Sequence, residues 1–200
     1  MKALTERQRD IVERAIDVIG DEGLSALTLR RLSDALGVTE PALYRHFEKK
    51  SAILDAILSV LEAETYDRLP LESDATPQAV AAHFDRLFEM FAERPALATA
   101  VFLDEFASSD PQVAVRVREL LARNRERLAR AFEAIGKQRH GQSARRTRKR
   151  SADLAEARAT LLLGGVRLLV REWRLDGCSW DLPGRGRQLV RALLCIEEEL

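Results

Sequence analysis

Residues 28–50 read TLRRLSDALGVTEPALYRHFEKK. Thr28 is a helix N-cap residue type, and Leu29, Leu32, Ala35 and Leu36 follow it on one helical face. Gly37 stands where a chain leaves a helix with positive φ, a conformation that costs glycine little. Thr39 then caps a further helix, with Pro41 in the first turn, where a missing N–H does no harm. That helix is predicted to run through Ala42, Leu43, Tyr44, Arg45, His46 and Phe47. Two short helices joined by a tight turn centred on Gly37 make a helix-turn-helix. Leu32, Leu36, Val38, Leu43 and Phe47 are its expected core.

Working outward, Ile11, Val12, Ala15, Ile16 and Ile19 give a leading helix from Thr5 to Gly20, ended by Gly23. A fourth helix starts near Lys49 or Lys50 and carries Ile53, Leu54, Ile57, Leu58 and Leu61. Residues 70–77, PLESDATP, are a polar loop. Helical period then continues over 77–92, 95–107, 111–135, 151–175 and about 186–199, with a turn over 176–186. Residues 137–150 lack apolar period and are expected to be a loop. The fold class is therefore all-α, with about nine helices. Residues 1–50 are expected to form the helix-turn-helix domain and residues 51–200 a helical ligand-binding and dimerisation domain.

In a helix-turn-helix the second helix enters the major groove of DNA, and its N-terminal residues reach base edges. Thr39, Glu40, Ala42 and Arg45 are the candidates for that contact. A guanidinium matches the two acceptors of a guanine edge, which favours Arg45 for specificity; a phosphate contact is the alternative. Glu40 either accepts from a cytosine amino group or stabilises the helix dipole. Ala42 either touches a thymine methyl or is small for close approach. Lys50 would add an ammonium to the free N–H groups opening the fourth helix, a ready phosphate site. Thr28 and Arg30, opening the second helix, are placed to anchor the DNA backbone, although Thr28 would cap its helix in any case.

The LGV turn, the ALYRHF helix and the Lys49–Lys50 pair before an apolar helix closely resemble the DNA-binding signature of the tetracycline-repressor (TetR) family. The resemblance covers about 45 residues; the remainder matches in architecture. It implies that Tyr44 and His46 are phosphate ligands, with burial of Tyr44 against the first helix and a local hydrogen bond of His46 as the alternatives. It further implies a homodimeric regulator of transcription, a repressor of a near-palindromic operator in double-stranded DNA, released by a small-molecule effector.

The chain of 200 residues is 46% hydrophobic and 32% charged, and its 32 basic residues balance its 32 acidic ones. Any attraction to DNA must then be local, and residues 28–50 hold an excess of two positive charges. A second basic run, with seven cations and no acid over 137–150, fits non-specific nucleic-acid contact, an acidic partner or a solvated loop. Cys178 and Cys195 are isolated, and His46, His83 and His140 are far apart, so no metal site and no cofactor is expected. The chain contains no Gly-rich phosphate loop, GxSxG or HExxH, which disfavours an enzyme. The charged start and short apolar runs predict a cytoplasmic protein with no membrane partner.

Leu161–Val166, with Gly164 and Gly165, and the stripe Leu189–Ile196 mark helices 151–175 and 186–199 as the expected dimer face; a buried intrachain helix is the alternative. Phe84, Phe88, Phe91, Phe102 and Phe106 recur at helical spacing and are either core or the lining of a pocket for an apolar effector, with Trp173 and Met90 as weaker candidates. A protein of the same fold acting in chromosome organisation or division, through protein partners, is the rival to a repressor.

Overall fold

The computed structural model describes residues 4–65, 67, 75–100, 103–140 and 145–194. Ten α-helices and one 3-10 turn occur among them, and no strand. Helix α1 (Glu6–Glu22) opens with a reciprocal capping box: Gln8 N–H donates to Thr5 Oγ1 at 3.2 Å, and Thr5 N–H to Gln8 Oε1 at 3.0 Å. Gly23, at φ 85°, ends it. After a 3-10 turn (Leu24–Ala26), α2 (Leu29–Leu36) is capped by Thr28, whose Oγ1 accepts from Arg31 N–H at 3.0 Å. Gly37 adopts φ 66°, and the N–H groups of Gly37 and Val38 return to the carbonyls of Asp34 and Ser33. Helices α3 (Glu40–Tyr44) and α4 (Lys50–Thr65) follow.

Next come α5 (Pro77–Glu93), α6 (Pro95–Ala100), α7 (Leu103–Ser109), α8 (Pro111–His140), α9 (Arg145–Leu175) and α10 (Leu182–Leu194). By packing, the chain divides into two compact units. The first comprises Met1–Glu64 and Arg94–Glu119. In it α1 lies closely on α6: a Cβ at Gly20 would overlap Ala96, and Arg94 pairs with Glu13. Ile11, Val12, Ile16, Leu32, Leu43, Ile53 and Ile57 are buried in this unit. The second comprises Thr65–Glu93 and Leu120–Leu200. There α10 packs on both α5 and α9, and Phe84, Phe88, Phe91, Leu162, Val170 and Val190 are buried. Gly186 is required by shape, since a Cβ would overlap the Phe88 ring.

Several element boundaries differ from the sequence reading. Helix α3 stops at Tyr44 because the bonding tightens there: His46 N–H donates to Leu43 O at 3.0 Å. The expected 95–107 helix is described on either side of residues 101–102, which lie outside the described residues, as α6 and α7, and α7 runs on to Ser109. Residues 137–140 belong to α8 and 145–150 to α9, while 141–144 lie outside the description. Arg, Lys and Gln are good helix formers, so a missing apolar period there did not signal coil. Helix α10 starts at Leu182, four residues earlier than expected, because Asp181 accepts from Gly184 N–H at 2.9 Å and Pro183 sits harmlessly in the first turn. Thr39 occupies its N-cap position but makes no side-chain cap bond. Most of the 70–77 loop lies outside the described residues.

Candidate nucleic-acid interface

The helix-turn-helix separates its two kinds of residue. Leu32, Leu43 and Phe47 are buried, while Leu36 and Val38 are half-buried. Thr28, Arg30, Thr39, Tyr44, Arg45 and His46 are exposed, and Glu40 and Ala42 are half-exposed. Tyr44, 47% exposed, is not buried against α1. The structure thus brings eight of the nine candidate DNA-contacting residues to the surface of α2, α3 and the turn behind α3.

Lys50 is the ninth, and it is placed differently. Its ammonium is part-buried, donates to Leu24 O at 3.4 Å, and has its pKa lowered by that burial. Arg31 and Lys49 are also engaged. Arg31 Nε donates to Glu22 at 3.0 Å, a hydrogen bond that holds the Glu22 carboxyl below its ordinary value and raises Arg31. Lys49 Nζ donates to Gln112 Oε1 at 2.9 Å. Arg30 and Arg45 have no ion-pair partner among the described residues, which leaves those two guanidiniums available to phosphate or base.

One positioning residue escaped the sequence reading. Gln8 Nε2 donates to the His46 carbonyl at 3.1 Å and so ties the end of α3 to α1. The Thr5–Gln8 spacing signals the cap, but no sequence pattern points from Gln8 to residue 46. Arg116 is another: it donates to Glu62 at 2.7 Å and lies 3.4 Å from Asp55, joining α8 to α4 within the first unit. Burial acts to lower its pKa, and the Glu62 and Asp55 charges outweigh that and raise it.

The five phenylalanines do not form one group. Phe84, Phe88 and Phe91 are buried on α5 in the second unit, Phe106 is buried in the first, and Phe102 lies outside the described residues. Of the weaker candidates, Trp173 is buried and donates from Nε1 to Trp180 O at 3.0 Å. A surface cavity of about 400 Å³ in the first unit is lined by Lys49, Asp55, Gln112, Val113, Arg116 and Glu119, with no phenylalanine. Among the described residues no group of His, Cys, Asp and Glu could hold a metal ion, and no helix is long and apolar enough to cross a membrane. Cys178 is a free thiol, and Cys195 lies outside the description.

The family model described as bacterial regulatory proteins, tetR family, matches residues 11–57, from α1 into α4. The class A tetracycline repressor of Escherichia coli is 41% identical over 56 residues, which is 28% of this chain and 26% of that protein. Over residues 11–57 the chain is thus similar to the TetR family. It spans about a quarter of the length of the tetracycline repressors it matches first. A longer but weaker likeness, 26% identity over 150 residues, joins it to the nucleoid occlusion factor SlmA of Marinobacter nauticus, covering 74% of this chain and 76% of that one. A likeness of fold covers nearly all of the chain. The fatty acid degradation regulator FadR of Bacillus halodurans superposes with a TM-score of 0.76 at 17% identity, covering 96% of this chain and 97% of its own. FadR of Bacillus subtilis, solved with stearoyl-CoA, gives 0.69 at 17% identity over 97% of this chain and 100% of its own.

Proposed function

We propose that this protein is a dimeric DNA-binding regulator of transcription, a repressor released by a small, largely apolar ligand. The observation that carries the reading is the exposed face of α2 and α3. Arg30, Tyr44, Arg45 and His46 stand in solvent while Leu32, Leu43 and Phe47 hold the scaffold behind them. Arg45 reads a base edge; Arg30, Tyr44, His46 and Thr28 hold phosphates; Thr39, Glu40 and Ala42 set the fit to the groove. Lys50 acts chiefly through the α4 N-terminus that it opens. Residues 1–50 are the reading part, and residues 51–200 the sensing and pairing part.

Pairing is needed because one helix-turn-helix makes few contacts. Helix α9 offers the surface. Leu154, Leu161, Leu168 and Leu175 recur every seven residues and are 51%, 62%, 56% and 78% exposed. Gly164 lies on that same side with open space around it, whereas Gly165 faces inward, a Cβ there coming within 3.3 Å of Leu189. A seven-residue leucine stripe in water is a seam for a second helix. We assign it, with α10, to the homodimer. Effector binding in the second unit, among Phe84, Phe88 and Phe91, then shifts the population between arrangements of the two reading heads that differ in DNA affinity. Phe102 and Phe106 remain candidates for the same lining.

Selection from a random duplex pool tests this. Inverted repeats with half-sites about one helical turn apart, or a small multiple, are expected. A pool that stays unenriched would remove the reading. The SlmA likeness favours a second reading, action in chromosome organisation through protein partners. Mapping of bound sites in the cell separates the two: one or a few promoters indicate the repressor, many dispersed sites the alternative.

A further inference from the structure

Helix α8 carries a buried apolar stripe in the second unit, Leu120, Leu128, Ala131 and Ile135, and Asn124 interrupts it. The side chain is 3% exposed, and its Nδ2 has no hydrogen-bond partner among the described residues. A buried amide N–H group without a partner carries its desolvation cost uncompensated. An apolar residue of similar size would fill the place without that cost. The same unit buries Phe84, Phe88 and Phe91 on α5, and among the described residues its buried polar or charged ones are Thr65, His83 and Asn124. Small-molecule sites are built in this way, from apolar walls and one or two placed polar atoms that fix orientation.

We infer that Asn124 is the polar specificity determinant of the effector site, donating from Nδ2 to a neutral carbonyl-type oxygen on an otherwise apolar ligand. The inference rests on the ligand-responsive reading above and narrows the effector to apolar ketones, esters or lactones. A pure hydrocarbon would leave Nδ2 unpaired, as it is without ligand. A site built around a hydrogen bond rejects an analogue lacking that group more strongly than it rejects a change of one methylene.

Two matched pairs test it with no DNA present: benzophenone against diphenylmethane, and 2-undecanone against undecane, each titrated into the full-length protein. The wild type is expected to bind the ketone of at least one pair about tenfold or more tightly than its hydrocarbon. Asn124→Leu is expected to bind both members of that pair alike, and to melt at a higher temperature than the wild type without ligand. The inference is overturned if the wild type shows no ketone preference in either pair, including by binding neither member. It is also overturned if Asn124→Leu keeps the preference, melts lower or fails to fold. Failure of the regulator reading would register elsewhere, as a lack of selected DNA, so the two outcomes remain distinct.

Discussion

The reading head and the long helices α8 and α9 depend on local punctuation to different degrees. In residues 28–50 the backbone is punctuated at almost every step. Thr28 caps, Gly37 turns at φ 66°, Pro41 starts a helix, and three buried side chains hold two short helices together. A helix of eight residues or five is unstable alone, so its ends must be specified by residue type. Helices α8 and α9, at 30 and 31 residues, are stopped at their described ends, by Asp110 capping α8 and by Gly177 at φ 66° after α9, but between those ends they persist through length and packing. The head should therefore be sensitive to single residues at fixed places, and the long helices to what covers their faces.

The largest expected effect breaks the second half of that comparison. Leu161→Glu with Leu168→Glu places charge in the exposed seam of α9 while leaving the buried stripe at Leu162, Val166 and Val170 intact. The protein should remain helical but sediment as a monomer, and operator affinity should fall by about a hundredfold or more through loss of the linked second site. A double variant that stays dimeric would place the seam elsewhere.

Next, Arg45→Ala should reduce discrimination between operator and point-mutated operator by about 1–3 kcal/mol, with an unchanged melting temperature. Competition binding with one base pair changed at a time reads this. Unaltered base preference would leave Arg45 a phosphate contact.

The two regions can also be compared through their glycines. Gly186→Val forces a side chain into the Phe88 ring and should cost about 1–3 kcal/mol of stability in denaturant unfolding. Gly37→Ala meets no neighbour within 4 Å, so its cost is backbone strain alone, about 1–2 kcal/mol for a left-handed residue. The first should leave DNA affinity per folded molecule unchanged, and the second should lower it.

These glycines also show how far the sequence was legible. Gly37 was read correctly from its neighbours, because a turn between two periodic segments is a local signal. Gly186 was taken for part of a turn, because its purpose lies in a ring on α5, about a hundred residues away. The same distinction runs through the site. That Leu32, Leu43 and Phe47 would be buried followed from helical period. That Arg31, Lys49 and Lys50 would be engaged within the chain, leaving Arg30 and Arg45 available, depended on Glu22, Gln112 and Leu24, which no spacing rule connects to them. Residues 137–140 and 145–150 were read as part of a loop because they lack apolar period, whereas helix formation also depends on intrinsic propensity.

The smallest expected effect concerns Glu22. Its carboxyl titrates below the ordinary value because Arg31 donates to it, so the pair stabilises the fold above that ordinary value and the contribution is lost as pH falls through the lower, folded value. Both side chains are exposed, so the gain is slight and salt-sensitive. Glu22→Gln should melt marginally below the wild type at neutral pH, and the two should converge in acid below the folded carboxyl value. A difference that persisted there would assign the effect to packing.

The central claim is that the exposed face of α2 and α3 lies against the phosphates of a duplex, once per subunit of a dimer. The most direct test is titration of the purified protein onto a selected inverted repeat, and onto a single half-site, over a series of salt concentrations. The account predicts two subunits per inverted repeat, much weaker binding to the half-site, and a logarithm of affinity that falls linearly with the logarithm of salt concentration. Affinity indifferent to salt, or equal for the half-site and the full repeat, would contradict it.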